Sequence, residues 1–177
     1  MRKFHCYIIF ILLFSCNNDE KVTENFINSD TLPVEEMLNS TIIYTENGDV
    51  RVKIVSSKMT RYIKPENIIT FSEGVKVDFY TDSTNKKSVL TSQNASVNNK
   101  TQIMTATDNV KLLSYDNKEL LTEELIWDQK NNLIYTEREV KITTEDEVIY
   151  GVGFSSTPDF TEYEIKKAKG SFNLKKD

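Results

Sequence analysis

Residues Glu73-Gly74-Val75-Lys76-Val77-Asp78-Phe79 carry apolar side chains at every second position from Val75 onward. Successive side chains of a β-strand point to opposite faces, so this alternation predicts a strand with one buried and one solvated face. The pair Glu73-Gly74 is typical of a turn and predicts where the strand begins. The stretch therefore predicts a half-buried strand that starts at Val75.

The same pattern recurs along the chain. Val75-Lys76-Val77, Val110-Lys111-Leu112 and Val140-Lys141-Ile142 share one order of residue types and lie 35 and 30 residues apart. Each is followed by a polar turn and a second strand, and an earlier copy occupies residues 42–59 around the turn pair Asn47-Gly48. Repeated strand pairs with one apolar face must bury that face against each other. The sequence thus predicts an all-β domain, either a sandwich or an incompletely closed, twisted jelly roll.

Composition excludes several classes of function. The 177 residues suit one domain, and a net charge of -5 leaves no clustered basic surface for nucleic acid. The only histidine, His5, and one of the two cysteines, Cys6, lie near the N-terminus, so a processed chain has no Cys/His metal site and no Ser-His-Asp triad. Adjacent carboxylates such as Glu123-Glu124 point to opposite faces of a strand and do not form a glycosidase pair. We expect no enzyme activity, no metal and no cofactor.

The N-terminus has the features of an export signal. A basic start precedes residues 4–14, which are almost wholly apolar but only about half as long as the ~20 residues that a membrane-spanning helix needs. Leu13-Phe14-Ser15-Cys16 resembles a bacterial lipobox, in which Cys16 would be lipidated and become the new N-terminus. We expect a signal peptide at 1–15, a lipidated N-terminus and flexible tether at 16–40, and a β domain at 41–177. The alternatives are a permanent transmembrane helix and cleavage at another site.

Taken in order, these features resemble the LptC family of lipopolysaccharide-export proteins, in the lipoprotein form of Bacteroidetes-like bacteria. The resemblance rests on the lipobox, the short tether, the repeated Val-Lys-hydrophobic strands, residues 120–128 with 131–136, and Gly151-Val152-Gly153-Phe154. It covers about residues 42–174. Better-known members carry an N-terminal transmembrane helix, whereas this chain has a sequence that resembles a lipobox.

The resemblance implies a twisted, open β-jelly roll built from repeated antiparallel strand pairs, at the periplasmic face of the inner membrane. It implies a non-enzymatic carrier that accepts lipopolysaccharide from an inner-membrane ABC transporter complex and passes it to an LptA-like periplasmic bridge protein. Such a carrier needs an apolar groove, because acyl chains in water cost ~0.8 kcal/mol per methylene. The groove residues would be the inward set of the alternating strands, which also suits an ordinary core: Val52, Ile54, Val75, Val77, Phe79, Val97, Val110, Leu112, Leu125, Trp127, Tyr135, Val140, Ile142 and Phe154.

The same resemblance implies that the sheet edges contact the partner proteins. Unpaired edge strands permit strand addition by another chain. Ile43 and Val50 would face the transporter, and Ile165, Phe172 and Leu174 the bridge protein.

Two other functions fit the sequence. One is a surface or outer-membrane lipoprotein whose β-sandwich binds glycans or proteins. Asp19-Glu20, shortly after Cys16, resembles the acidic surface-export signals of such lipoproteins. The other is a carbohydrate-active enzyme, which would need a carboxylate pair on one inward face.

Overall fold

In the computed structural model the domain is all-β, as predicted. The structure describes residues 35–63, 66–80 and 85–173, with backbone alone at 86 and 171–173. Within these residues there is no helix, and hence none that could span a membrane. The ten strands are β1 Glu35–Glu46, β2 Asp49–Tyr62, β3 Ile68–Tyr80, β4 Lys86–Ser92, β5 Asn94–Asn98, β6 Ile103–Ser114, β7 Glu119–Asp128, β8 Leu133–Thr143, β9 Glu147–Ser156 and β10 Tyr163–Asn173.

The strands form one antiparallel meander, in the order β1-β2-β3-β4-β6-β7-β8-β9-β10. The short strand β5 continues the line of β4, so both lie between β3 and β6. Each strand therefore pairs with the next one along the chain, with β4 and β5 together occupying one position in the sheet. This is the order that consecutive strand pairs predict. The strands β1 and β10 lie at the two ends of this order, which leaves the sheet open.

The predicted strand boundaries need two corrections. Strand β1 begins at Glu35, where it pairs with Arg61, so strand structure starts before the expected boundary at residue 41. The pair Glu73-Gly74 lies inside β3 and not at its start. Positive φ angles at both residues form a bulge there, and the strand continues through it. The predicted signal peptide and Cys16 lie outside the described residues.

A line of irregular backbone positions crosses the sheet. In β3 it passes through Glu73 (φ 62°) and Gly74 (φ 97°), and in β6 through Asp108 (φ 66°) and Asn109 (φ 56°). Backbone hydrogen bonds run along it, since Gly74 N–H donates to Gln93 O (3.0 Å) and Gln93 N–H to Asp108 O (2.9 Å). We call this line the crease; it comprises Asn39 in β1, Ser57 in β2, Glu73-Gly74 in β3, Gln93 between β4 and β5, Asp108-Asn109 in β6, Glu123 in β7, Glu137-Arg138 in β8 and Gly153 in β9.

The crease divides the sheet into two leaves that fold toward each other. The upper leaf comprises residues 40–46, 49–56, 75–80, 86–92, 110–114, 119–122, 139–143, 147–152 and 167–173, and the lower leaf comprises residues 35–38, 58–62, 68–72, 94–98, 103–107, 124–128, 133–136, 154–156 and 163–166. Bulges bend strands and increase their twist, so a line of bulges bends the whole sheet. The upper leaf carries Phe79 and the lower leaf carries Trp127, yet their ring centroids lie 5.1 Å apart. The hydroxyl of Ser88 in the upper leaf donates to the carbonyl of Pro158, beyond the end of the lower leaf. The sheet thus rolls onto its own inner face, which gives the predicted open jelly roll.

The inner faces of the two leaves form a single apolar core. Val77, Leu112 and Ile142 from the upper leaf are fully buried, as are Ile134 and Phe154 from the lower leaf. Burying one such side chain contributes about 1.5–3 kcal/mol to stability. Because no helix covers the sheet in the described residues, this self-burial is what stabilises the domain.

A substitution at Gly153 in β9 would test how much the backbone conformation of the crease contributes to stability. Its φ of 77° is unfavourable for any residue with a side chain, and an added Cβ would lie 2.9 Å from Cδ and 3.0 Å from Cβ of Lys166 in β10. We expect Gly153→Ala to lower the free energy of unfolding by about 1–2 kcal/mol, as measured by urea denaturation. The control is Gly170→Ala, where nothing lies within 4 Å of the added Cβ. Equal effects at both glycines would contradict the role of the crease.

Candidate functional site

The predicted groove residues lie on the inner face of the roll, with one exception. Thirteen of the fourteen are buried in the shared core. Most of them are covered by other side chains of the core. Three of them, Val52, Phe79 and Trp127, line a cleft at one end of the roll.

Tyr135 is the exception, and its predicted inward position is corrected by the structure. It is half-buried between the buried residues Ile134 and Thr136, which places it on the outer face of β8. Its partners in the neighbouring strands, Ile126 and Ser155, are half-buried as well. Ile134 takes the inward position that the sequence analysis gave to Tyr135.

The cleft has a volume of about 860 Å³ and is the candidate functional site. It lies where the crease brings the far end of β3 against the ends of β7 and β9. Its lining combines aromatic, basic and acidic side chains with parts of two turns. The lining residues are Tyr44, Thr45, Glu46, Arg51, Val52, Phe79, Tyr80, Lys87, Gln102, Trp127, Gln129, Lys130, Asn132, Thr157, Pro158 and Asp159.

Two aromatic rings form the apolar part of the cleft. Phe79 and Trp127 meet edge to face, with an interplanar angle of 88°. Trp127 is 9% exposed, and its Nε1 has no hydrogen-bond partner among the described residues. Tyr44 stands nearby in the lining, and burial raises the pKa of its phenol above the ordinary value. The cleft therefore offers an apolar contact surface with one buried donor.

Charged side chains surround these rings. Arg51 forms an ion pair with Glu46 at 3.2 Å. Lys87 and Lys130 form no ion pair with any described residue within 4.0 Å. The pKa of Asp128 lies below its ordinary value, mainly because of hydrogen bonds from Asn131 and to a smaller extent because of the nearby charge of Lys130. Two lysines thus remain available to an anion in the cleft.

The turn between β9 and β10, residues 157–162, forms one wall of the cleft. It is anchored by Phe160, which is fully buried and stands edge-on to Phe154 with ring centroids 5.5 Å apart. From the opposite side, Lys118 donates through Nζ to the carbonyls of Phe160 and Thr161, both at 3.3 Å. The wall is therefore held by the core below it and by the upper leaf beside it.

Asp159 holds the same turn from within. Its carboxylate accepts hydrogen bonds from the hydroxyls of Thr157 and Thr161, the latter at 2.9 Å. Burial alone would raise the pKa of Asp159, but these hydrogen bonds outweigh it and hold the pKa below its ordinary value. The charged form of Asp159 is therefore the form that stabilises the turn.

A second, shallower depression of about 440 Å³ lies at the crease between β1 and β4. Gly74 and Val75 border it together with Asn39. Of the predicted groove residues only Val75 contributes to it.

The predicted partner-edge residues lie where the sheet ends or close to it. Ile43 in β1 is 54% exposed, and Val50 is half-buried in the adjacent β2. Ile165 in β10 is half-buried and packs against the core, and the backbone of Phe172 pairs with Val148. Leu174 lies outside the described residues.

The sequence did not single out the polar part of the cleft. Lysine is common near strand ends and in turns, so neither Lys87 nor Lys130 stood out. Nothing local indicates that the turn at 157–162 meets the start of β4, because that contact depends on how far the crease bends the sheet.

Comparison with known proteins decides the family. A family model described as "Lipopolysaccharide-assembly, LptC-related" matches residues 6–171. The chain belongs to the LptC family. A search of curated proteins finds no significant match. The LptC family takes part in lipopolysaccharide transport and is generally non-enzymatic, and it points to the periplasm in association with the inner membrane.

The wall of the cleft gives a prediction about pH. The depressed pKa of Asp159 means that its contribution to stability is complete above the unfolded-state pKa of about 3.9 and is lost as the pH falls through the lower folded-state pKa. We expect Asp159→Asn to reduce stability by about 0.5–1.5 kcal/mol at pH 7. The difference from the unchanged protein should shrink below about pH 4. Thermal unfolding at several pH values measures this.

The control for Asp159→Asn is Glu162→Gln, an exposed carboxylate in the same turn. It should change stability little at any pH. A difference at Asp159 that stays constant from pH 7 to pH 2 would contradict the assignment.

Proposed function

We propose that this LptC-family chain is a non-enzymatic lipopolysaccharide carrier that links an inner-membrane ABC transporter to a periplasmic LptA-like bridge protein. The observation that carries the proposal is an open sheet whose apolar inner face ends in the cleft at Phe79 and Trp127. The family assignment supports the ligand class.

Shielding of acyl chains from water is the work that such a carrier performs. An acyl chain of 14 carbons in water costs on the order of 10 kcal/mol, at ~0.8 kcal/mol per methylene. A bilayer and an apolar roll are similarly favourable surroundings, so movement from one to the other is nearly neutral. Direction then comes from ATP hydrolysis in the transporter, and the carrier needs no catalytic residue.

The ligand enters through the open side of the roll. Most inward side chains, such as Val77 and Leu112, are fully buried in the described structure, so the interior is filled by the protein itself. The open edges at β1 and β10 leave the two leaves free of a closing strand pair. Acyl chains therefore displace contacts between the leaves, starting from the cleft at Phe79.

The two edge strands differ in character, which suits two different partners. Strand β1 exposes Leu38 (75%) and Ile43 (54%), and its acidic residues are paired with basic residues of β2, as in the Arg51–Glu46 pair. Strand β10 exposes Lys166, Lys167 and Lys169, of which Lys166 and Lys169 pair with Glu137 and Glu139 of β8. The exposed apolar residues of β1 and the lysines of β10 suit different partner strands, so we assign the transporter to β1 and the bridge protein to β10.

Attachment to the membrane completes the proposal. Lipidation of Cys16 after removal of residues 1–15 would hold the domain at the inner membrane, with the residues before β1 as a tether. Two or more acyl chains suffice for stable anchoring.

The ligand path is tested by site-specific photo-crosslinking in cells. A photoreactive amino acid at Phe79 or Val52 should label lipopolysaccharide, because both side chains line the cleft. Matched positions at Lys76 and Lys111 on the outer side of the upper leaf should not label it. Labelling confined to the outer positions would refute the ligand path.

The partner edges are tested by the same method. A crosslinker at Ile43 should capture the transporter, and one at Ile165 should capture the bridge protein. The control is Tyr115, which is 82% exposed in a turn away from both edge strands. Capture of the same partner from both edges would overturn the assignment of one partner to each edge.

A further inference from the structure

Trp127 lines the cleft and carries a buried hydrogen-bond donor without an acceptor among the described residues. The side chain is more than nine-tenths buried and lines the cleft, and Nε1 has no partner among the described residues. The indole N–H can only donate, and a buried donor is costly to leave unpaired.

The surroundings of Trp127 explain why the fold does not satisfy this donor. Its neighbours across the lower leaf are Met104 and Ile134, and Phe79 stands edge-on to the ring. These side chains carry no oxygen acceptor. Their backbone groups serve the strand ladder, so Nε1 is left without a partner among the described residues and is free for an acceptor that a ligand brings.

The charges that share the cleft indicate the kind of acceptor. Arg51 is engaged by Glu46, and Asp159 is engaged by the threonine hydroxyls of its own turn. Lys87 and Lys130 form no ion pair with a described residue, and together with Arg51 they outnumber the carboxylates of Glu46 and Asp159, so the net charge of the lining is positive. An apolar ring surface, one N–H donor and two ammonium groups match an anionic amphipath.

We propose that the cleft binds the junction between the phosphorylated head group and the acyl chains of a lipid, with Trp127 as the residue that recognises this junction. The indole N–H donates to an ester, amide or phosphate oxygen at the junction, Lys87 and Lys130 hold the phosphate, and the first methylenes part Trp127 from Phe79. This proposal rests on the proposed carrier function. It specifies which residues of the protein contact the junction between the polar head group and the acyl chains of the ligand. Phosphorylated lipid A and a glycerophospholipid share this chemistry.

Trp127 can be observed directly because it is the only tryptophan in the chain. The full chain, kept in solution by an amphipathic polymer and labelled with ¹⁵N-tryptophan, gives a single indole N–H signal in a proton–nitrogen correlation spectrum. We expect purified lipid A to move the indole proton downfield and to slow its exchange with solvent. Dephosphorylated lipid A should give a clearly smaller change.

Phosphatidylglycerol distinguishes the two lipid sources. A downfield shift with lipid A alone assigns the site to the glycolipid. A similar shift with both assigns it to phosphorylated acyl lipids in general.

Variants measure what each group contributes. Trp127→Phe keeps an aromatic ring and removes the N–H, and we expect it to weaken lipid A binding about tenfold. Lys87→Gln and Lys130→Gln should each weaken it several-fold and make binding less sensitive to salt. Lys111→Gln on the outer side of the upper leaf, outside the cleft, is the matched control and should bind like the unchanged protein.

The outcomes separate this inference from the carrier function. If lipid A shifts the methyl signals of interior isoleucines while the indole signal stays in place, the chain carries lipid but Trp127 does not recognise the junction, and the inference is wrong. If lipid A changes no signal at all, both the carrier function and the inference are wrong. The spectra use the unchanged chain, so neither result depends on whether a variant folds.

Discussion

A lone antiparallel sheet has one apolar face and no second layer to cover it, and this constraint governs the whole domain. In the described residues the sheet meets it by folding along the crease, so that Phe79 of the upper leaf reaches Trp127 of the lower leaf. A flat sheet of these strands would leave the inner face in water. The bend that stabilises the core also creates the cleft, because it brings strand ends together that are far apart in the sheet order.

The architecture could be predicted from the sequence because alternation is a local signal. Val75, Val77 and Phe79 show their common face within five residues, and the recurrence of this pattern predicts a meander. The crease was hidden because Glu73-Gly74 has the same residue types as a turn between strands. Only the hydrogen-bonded pairing of β3 with its neighbouring strands, both before and after Glu73-Gly74, shows that the strand continues through this pair. Tyr135 was misplaced for a related reason, since Ile134 and Tyr135 are both apolar and either could have faced inward.

The apolar residues of the candidate site could be predicted from the sequence, but the position of the cleft and its basic residues could not. Alternation identified Val52, Phe79 and Trp127 as inward residues, but it could not separate those that border a cavity from those that fill the core. That distinction depends on the angle between the leaves, which no short stretch of sequence encodes. The basic residues of the cleft were equally hidden, because Lys87 comes from a strand start and Lys130 from a distant turn.

The two edges of the sheet differ in how well they are protected against pairing with another chain. Lysines along β10 discourage two copies from zipping together there. The other border, where Leu38 and Ile43 lie bare, has far less of this protection. Under the proposed function, a copy of the chain whose β1 is not covered by a partner would therefore be prone to pair with the strand of another protein at this edge.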